Sequence, residues 1–531
     1  MSLQLSSVIR THLSEVFLSA DRVYKLLRPV RTSFIDFTDL ATRLEAAARE
    51  YELNRQISPD VYLGLADIRE HDELTDRMIV MRRLPADRQL DRLVDDPAFP
   101  DHLRDVARLV ASFHASQPPL HGAAAEVAGA EALRRNWDDN FEVLAPIAGR
   151  VIPTEEYRRA RELVENYIAG RLALLQERID DGWIRDGHGD LRCEHVFCIE
   201  GGPRLIDCLA FRDDFRVADV LNDVAFLAMD LHRLAGPGAA QWFVNHYDEF
   251  SNERHSSSLA HHYVAYRASV RAKVAAIRFG QGEQDAVADI VMYHRLALQH
   301  LELGQPRLIL VGGGAGVGKS TVAAGIADRL AASWLRADEV RKNLAGIPVD
   351  QHAFSDFQTG LYAPEFSDRV YRELLREAEL LLSRGESVVL DATWSQADRR
   401  DWAHEVGRRT SSSVTELMCR APASVARQRV AERMASVYNP SDADVEVVDR
   451  INAEFSPWPT AAVVDTNGPI ADSVEVAYCR VLAGPQGARH PESMRVEEST
   501  LTEETIGFFL SKVSSMGFTR ITTERTRRDD R

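Results

Sequence analysis

Long apolar runs are missing from this sequence. No stretch approaches the roughly 18 residues that a membrane-spanning helix needs, and the start MSLQLSSVIRTHLSEVF has no apolar core followed by a small-residue cleavage site. Cysteine is scarce: Cys193, Cys198, Cys208, Cys419 and Cys479 have neither the paired spacing of a zinc site nor an even count. They read as reduced thiols of a cytoplasmic protein. Positive charge is in deficit, with 64 Lys and Arg against 81 Asp and Glu, a formal charge of −17. Such a balance repels nucleic-acid backbones and anionic lipid, so neither is the expected partner.

What the chain has is length and one dense motif. Its 531 residues exceed a single core, and at roughly 150 residues per domain two to four domains are expected. The motif lies in RLILVGGGAGVGKSTVAAGIADRL, Arg307 to Leu330. Leu308 to Val311 reads as a short buried strand, and from Lys319 the pattern is helical. Between them stands G-x-x-x-x-G-K-S, built from Gly313, Gly314, Ala315, Gly316, Val317, Gly318, Lys319 and Ser320, with Thr321 next. Small residues let the backbone curl so that successive N–H groups point at phosphate oxygens, and the helix N-terminus faces the same anion. Lys319 is expected to reach the β- and γ-phosphates of ATP and Ser320 to hold Mg2+.

In the first half, Glu15 to Arg28 suggests two strands turned at Ala20 and Asp21, with Lys25 on the second, followed by a helix from about Phe37 to Ile57 containing Glu45, Glu50 and Glu52. Val61 to Ile68 and Arg77 to Leu84 alternate like further antiparallel strands, and Phe99 to about Asp181 is helical text. GHGDLRCEHVFCIEGGPRLIDCLAF, Gly187 to Phe211, then offers Asp190 in H-G-D before two short strands and Asp207 after them. Two carboxylates so disposed suit phosphoryl transfer, one orienting an acceptor hydroxyl and the other binding the metal on the nucleotide. His114 reads as a packed histidine. Arg267 and Arg271, one helical turn apart, read as an anion site or a solvated basic face.

With H-G-D at His188 to Asp190, I-D at Ile206 and Asp207, and DVAFLAMDL at Asp223 to Leu231, the first roughly 300 residues resemble the aminoglycoside phosphotransferase and choline kinase branch of the protein-kinase-like fold. The resemblance implies that Lys25 binds phosphate, Glu50 is its ion-pair partner, Asp190 is the catalytic aspartate that takes or orients the acceptor hydroxyl proton and Asp207 a metal ligand. The chain departs from that family at His195, where an asparagine is the second metal ligand. It also has no glycine between Ser2 and Leu63, where many relatives carry a phosphate-covering loop. A degenerate kinase fold used for substrate binding or regulation therefore stands beside a second kinase site, and weaker Mg-ATP binding than in the other half is expected.

Helical text ends near Leu303 and Gly304-Gln305-Pro306 breaks it. Beyond the phosphate loop, a strand ending at Asp338 with Arg341 three residues on, a buried strand ending at Asp391, and strands at Val414 to Ala421 and Ala461 to Gly468 alternate with helices. That order predicts a parallel sheet with its ligand at the carboxyl ends of the strands. Asp391 is expected to hold Mg2+ through water. This half resembles the small P-loop kinases that include gluconate kinase, chloramphenicol phosphotransferase, polynucleotide kinase and zeta toxin. The resemblance rests on the loop, on Asp338 and Arg341, on APASVARQRVAER with Arg429 and Arg433, and on Asn439 to Val448. It implies that Asp338 is the base facing the acceptor hydroxyl and that the arginines close on the phosphates; a helix cap and an exposed basic face are the plainer alternatives.

The expected architecture is an α+β protein-kinase-like domain over 1–303, an α/β P-loop NTPase domain with a parallel sheet over 304–484, and a polar tail over 485–531 with a short helix near Glu503 to Met516. The leading functional expectation is an ATP- and Mg2+-dependent phosphotransferase acting on a small hydroxyl-bearing substrate. An ATP-fuelled regulatory protein with a protein partner, and a polynucleotide 5′-hydroxyl kinase, are the alternatives. The latter needs a basic groove that the acidic composition does not advertise.

Overall fold

The computed structural model describes residues 7–11, 13–31, 36–348, 360–434 and 455–483. Asn439 to Val448, the polar tail and its expected helix lie outside the described residues, as does the side chain of Arg433.

The chain begins with an antiparallel meander, β1 (Ser7–Arg10), β2 (Ser14–Leu18) and β3 (Arg22–Leu27). Helix α1 (Leu40–Ile57) follows, started by Asp39, whose carboxylate accepts from the Thr42 N–H at 2.9 Å. Strands β4 (Tyr62–Glu70) and β5 (Glu73–Arg82) complete a five-stranded sheet in the order β1-β2-β3-β5-β4. Its core face carries Leu27, Ile79, Met81 and Tyr62 against Ala47 of α1.

A helical mass comes next: α2 (Phe99–Ser116), α3 (Ala130–Leu144), α4 (Thr154–Gly170) and α5 (Leu172–Asp180). In α2 the buried residues Leu103, Val106, Ala107, Val110, Ala111 and His114 repeat at helical spacing, a stripe that faces one core. Short strands β6 (Ile184–Asp186), β7 (Val196–Ile199), β8 (Gly202–Leu205) and β9 (Val217–Asp219) form two antiparallel pairs, β6 with β9 and β7 with β8. They hold the H-G-D loop and Asp207 at the edge of that core. Helices α6 (Val220–Ala235), α7 (Pro237–Ser251), α8 (Ser257–Gly280) and α9 (Ala286–Leu303) close it.

The second half is a parallel sheet in the order β11-β12-β10-β13-β14. In chain order it runs β10 (Arg307–Gly312), α10 (Lys319–Leu330), β11 (Ser333–Arg336), α11 (Ala337–Ala345), α12 (Pro364–Ser383), β12 (Val388–Asp391), α13 (Ala397–Arg409), β13 (Ser413–Arg420), α14 (Ala423–Met434) and β14 (Ala462–Asp465), ending in a helix over Ile470–Ala483. Strand β10 is buried at every position. Leu308 and Leu310 pack with Val370 and Leu374 of α12, and Ile309 and Val311 pack with Val322 and Ile326 of α10. Two covered faces explain a continuous apolar run where an alternating pattern would mark a half-exposed strand, and each buried Leu or Ile contributes about 1.5–3 kcal/mol. Among the described residues no helix is long and apolar enough to cross a membrane, and all five cysteines are free thiols.

The two halves are pinned together where α4 breaks into α5. Arg171 is fully buried, and its guanidinium donates to the Gly170 carbonyl at 2.8 Å, to the Thr410 carbonyl at 2.5 Å and to Ser412 Oγ at 3.2 Å. Burial without a carboxylate lowers its pKa to about 10, so it remains charged at neutral pH. A methyl group on Gly170 would collide with the Thr410 carbonyl oxygen. Glycine to alanine in a helix normally stabilises by about 0.5–1 kcal/mol. Here Gly170→Ala is expected to destabilise by about 1–3 kcal/mol through overpacking, read as a lower melting temperature in calorimetry; an unchanged or raised one would show that the joint yields.

Candidate active site

The loop between β10 and α10 curls because three of its glycines take positive φ: 133° at Gly313, 76° at Gly316 and 88° at Gly318. At Gly316 a side chain would also strike the Ala426 carbonyl of α14, so glycine is required there on both counts. Ala315 and Val317 are buried and hold the loop down, and only from Gly318 to Ser320 does the loop become partly exposed. The Gly313 N–H donates to the Thr393 carbonyl at 3.1 Å, and Thr466 Oγ1 donates to the Val317 carbonyl at 2.6 Å. Gly318 caps α10 in a left-handed conformation, Lys319, Ser320 and Thr321 form the first turn, and Lys319 Nζ donates to the Gly314 carbonyl at 2.7 Å.

Asp391 ends β12, directly beside Val311 of β10 and Arg336 of β11 in register. It is buried. Burial raises its pKa, against the pull of the Lys319 charge and a hydrogen bond from Ser320. A buried carboxylate bonded to the loop hydroxyl is a pair of hard oxygen donors, the set that Mg2+ prefers. Arg336 Nε lies 3.8 Å from Asp391 Oδ2, and its guanidinium stacks 4.9 Å over Trp334.

Asp338 does not end the strand, as its sequence context suggests. Strand β11 stops at Arg336, and Asp338 sits in the first turn of α11, one position inside the helix, where Arg336 is the cap residue. Arg341, one turn on, donates to Asp338 Oδ1 at 2.5 Å and stacks 4.6 Å over Tyr362. Burial opposes the Arg341 charge, and Asp338 more than restores it. The Asp338 charge is also felt at Asp391, and with Arg336 paired to Asp391 across β11 and β12 the two acids lie near one another at the carboxyl ends of these strands. Arg429 Nη2 donates to the Thr466 carbonyl at 2.8 Å, and a methyl group on Gly318 would lie 3.6 Å from Arg429 Nη1. The Arg429 guanidinium therefore rests against the loop.

Sequence reasoning missed Arg336, Tyr362 and the turn after Asp391. In that turn Trp394 is fully buried with φ 53°, and Tyr371 Oη bonds Thr393 Oγ1 at 2.9 Å and accepts the Trp394 N–H at 3.2 Å. A bulky residue held in the left-handed region is strain that the surrounding packing must enforce. The signal was the buried strand running straight into Thr-Trp with no glycine at the turn.

In the first half, Lys25 Nζ on β3 sits 2.8 Å from Glu50 Oε1 on α1 and 2.7 Å from Asp207 Oδ1. Burial works against the Lys25 ammonium, but Asp207 and Glu50 hold it above the ordinary lysine range. Burial likewise opposes ionised Asp207, and Lys25, His195 and His188 outweigh it, holding that carboxyl low. Burial dominates at Glu50 and raises its pKa. Asp207 adopts φ 61°, and its N–H donates to Tyr62 Oη at 3.0 Å.

The H-G-D loop is clamped by Asp223, whose carboxylate accepts the His188 N–H at 2.6 Å and the Gly189 N–H at 2.9 Å. Asp230 accepts the Cys193 N–H at 3.1 Å. These acids stand in DVAFLAMDL, and their spacing of seven residues puts both on one face of α6. His114 is buried, 2.9 Å from Tyr247 Oη and 3.3 Å from Asp223 Oδ2. Arg267 is buried rather than solvated; it donates to the Asn222 side chain at 2.8 Å and to the Gly189 carbonyl at 3.3 Å.

Asp190 itself accepts two hydrogen bonds from Arg192, at 3.0 and 2.9 Å. His195 Nδ1 lies 2.8 Å from the Asp190 carbonyl, so that nitrogen carries the proton. An imidazole so committed does not replace the expected asparagine as a ligand for a hard cation. Among the described residues no cluster of three His, Cys, Asp or Glu could hold a metal on its own. Strands β1 and β2 are joined by only residues 11–13, so no long loop covers Lys25 from that side.

Residues 308–458 match the family described as AAA domain, and the second half is a P-loop nucleotide-binding domain. Among solved structures, the chain is similar to a putative kinase from Chloroflexus aurantiacus J-10-fl, with 18% identity and a TM-score of 0.27 over 33% of this chain and 98% of that one. It is also similar to a choline/ethanolamine kinase family protein from Mesorhizobium loti, with 14% identity and a TM-score of 0.36 over 56% of this chain and 91% of that one. Over 477 residues it is 36% identical to uncharacterized protein Rv2004c of Mycobacterium tuberculosis (strain ATCC 25618 / H37Rv), a match spanning 89% of this chain and 94% of the relative. Identity at that level along nearly both whole chains makes the protein a member of the same family as Rv2004c.

Proposed function

We propose that the protein is an ATP-dependent phosphotransferase acting on a hydroxyl of a small molecule, with its principal site in a P-loop domain over 304–484 and a kinase-like domain over 1–303. The observation that carries this reading is the shared mouth of the parallel sheet. There a phosphate loop, the Ser320 and Asp391 oxygen pair and the Asp338–Arg341 pair meet. In this reading the loop N–H groups and Lys319 hold the donor phosphates, and Asp338 takes the acceptor proton. Ser320 and Asp391 would hold Mg2+, which supplies charge neutralisation at the phosphates when bound. Arg341 orients Asp338, while Arg429, with Arg433, supplies cations to the transferring group. Screening sugars, aminoglycosides, nucleosides and RNA ends for acceptor-dependent ATP consumption tests it. Slow turnover indifferent to every alcohol but altered by a protein partner would replace it with an ATP-fuelled switch, which the buried Arg171 joint between the halves also suits.

The first half supports a second, weaker nucleotide site. Lys25, Glu50 and Asp207 are assembled for phosphates and metal, but the short β1–β2 turn and His195 remove two supports. Titration of the full chain with AMP-PNP and magnesium is expected to resolve a tight class lost in Lys319→Ala and a weak class lost in Asp207→Ala. Equal affinities for the two classes, or no Asp207-dependent class, would overturn this assignment.

A further inference from the structure

Arg267 and Arg271 stand one turn apart on α8, but only the first is spent on structure. Arg267 fastens α8 to the H-G-D loop through the Gly189 carbonyl and stacks 4.7 Å over Phe226. That contact brings the next turn of α8 toward Asp190. The Arg271 charge is among those acting on that carboxylate, after the opposing effect of burial and the larger pulls of His195 and Arg192. Arg271 Nε is buried and accepted by no protein atom, and its guanidinium lies 5.9 Å from the Tyr293 ring centroid. Among the described residues it has neither a carboxylate partner nor a hydrogen bond.

Asp190 does not need it. Arg192 already meets both Asp190 oxygens and also pairs with Glu194. The charged groups around the loop thus comprise Arg192, Arg267 and Arg271, with His195, against Asp190, Glu194 and Asp223, the last taken up by the His188 and Gly189 N–H groups and by His114. Lys25 and Asp207 are committed to each other, as are Arg233 and Asp230. Leaving a buried guanidinium N–H unpaired is costly, and a planar fork without a protein partner is suited to a carboxylate or phosphate.

We propose that the kinase-like half takes an anionic acceptor, a hydroxyl compound bearing a carboxylate or phosphate that Arg271 binds beside Asp190. This rests on the reading of the first half as a phosphotransfer site. The anion would dock on the free fork of Arg271 and thereby bring the neighbouring hydroxyl to the Asp190 carboxylate. Selectivity follows from sign: a neutral alcohol leaves the fork unpaired, and a polycationic aminoglycoside meets like charge.

The test uses the full chain carrying Lys319→Ala, which silences the phosphate loop. Glycerate and glycerol 3-phosphate serve as anionic probes, glycerol as the neutral one and kanamycin as the cationic one, with binding by titration in the presence and absence of AMP-PNP. The anionic probes are expected to bind best. Arg271→Gln should weaken them about ten- to hundredfold, the scale of one or two charge-assisted hydrogen bonds. Arg271→Lys should restore part of that loss, and AMP-PNP affinity should be unchanged in both variants. No Arg271-dependent anion binding, or a preference for glycerol or kanamycin, overturns the proposal; so does weakened AMP-PNP binding in Arg271→Gln, which would put Arg271 on the donor. If anions bind through Arg271 but no Asp207-dependent nucleotide site exists, the anion site stands and the phosphotransfer reading of this half falls.

Discussion

Lys319→Ala is expected to remove tight nucleotide binding and acceptor-dependent ATP consumption together. In the present structure the ammonium is parked on the Gly314 carbonyl at 2.7 Å, within the loop itself, so no large rearrangement separates it from a phosphate held there. Each charge-assisted hydrogen bond contributes about 1.5–3 kcal/mol, and a lysine bridging two phosphates makes about two. The expected loss in AMP-PNP affinity is therefore about a hundredfold or more. The substitution also takes from Asp391 the largest of the three influences, from Lys319, Ser320 and Arg336, that oppose its burial, so the carboxylate is harder to ionise and weaker as a metal ligand. The loop itself should persist, because Gly313 and Val317 are held by Thr393 and Thr466 rather than by Lys319. Titration of the folded variant decides: affinity and turnover equal to the parent's would mean that the loop binds no phosphate.

The phosphate loop could be read from the sequence because its spacing is its geometry: a buried strand, glycines where φ must be positive, and a lysine and a serine opening a helix. Asp391 was legible for a related reason, since an acid closing a wholly apolar run has few structural uses. The order of strands and helices in the second half followed from periodicity, whereas in the first half the short strands β1, β6 and β9 were not foreseen, three or four residues being too few to show an alternation. Asp338 was recognised as a residue but misplaced, because the change from strand to helix at Arg336 and Ala337 carries no glycine or proline to mark it. What stayed hidden depends on distant partners. Asp223 and Asp230 look like ordinary helix acids, yet they clamp a loop more than thirty residues upstream. Arg171 and Arg267 look like surface charges, yet their partners are carbonyls of Thr410 and Gly189. Charge in a sequence reads as solvent-facing by default, and only the tertiary fold supplies the acceptor that makes burial tolerable.

Asp338→Asn is expected to spare nucleotide binding and lower phosphoryl transfer by about 10²–10⁴-fold, the usual contribution of a positioned general base. The substitution is nearly isosteric, and the amide oxygen can still accept the Arg341 hydrogen bond that Asp338 Oδ1 takes at 2.5 Å. Helix α11 loses no cap, since the cap residue is Arg336. What disappears is the capacity to accept a proton from an alcohol. The Asp338 side chain is 33% exposed whereas that of Asp391 is 6% exposed, so of the two acids at this mouth Asp338 is the one that an incoming acceptor can reach. Asp391, buried against Ser320, is the one that in the proposed reading would hold the metal. The discriminating measurement is kcat with the physiological acceptor beside AMP-PNP affinity in the same preparation. A fall in kcat at constant affinity supports a base; transfer at the parent's rate would reduce Asp338 to an anchor for Arg341 and move the search for the proton acceptor elsewhere in the pocket.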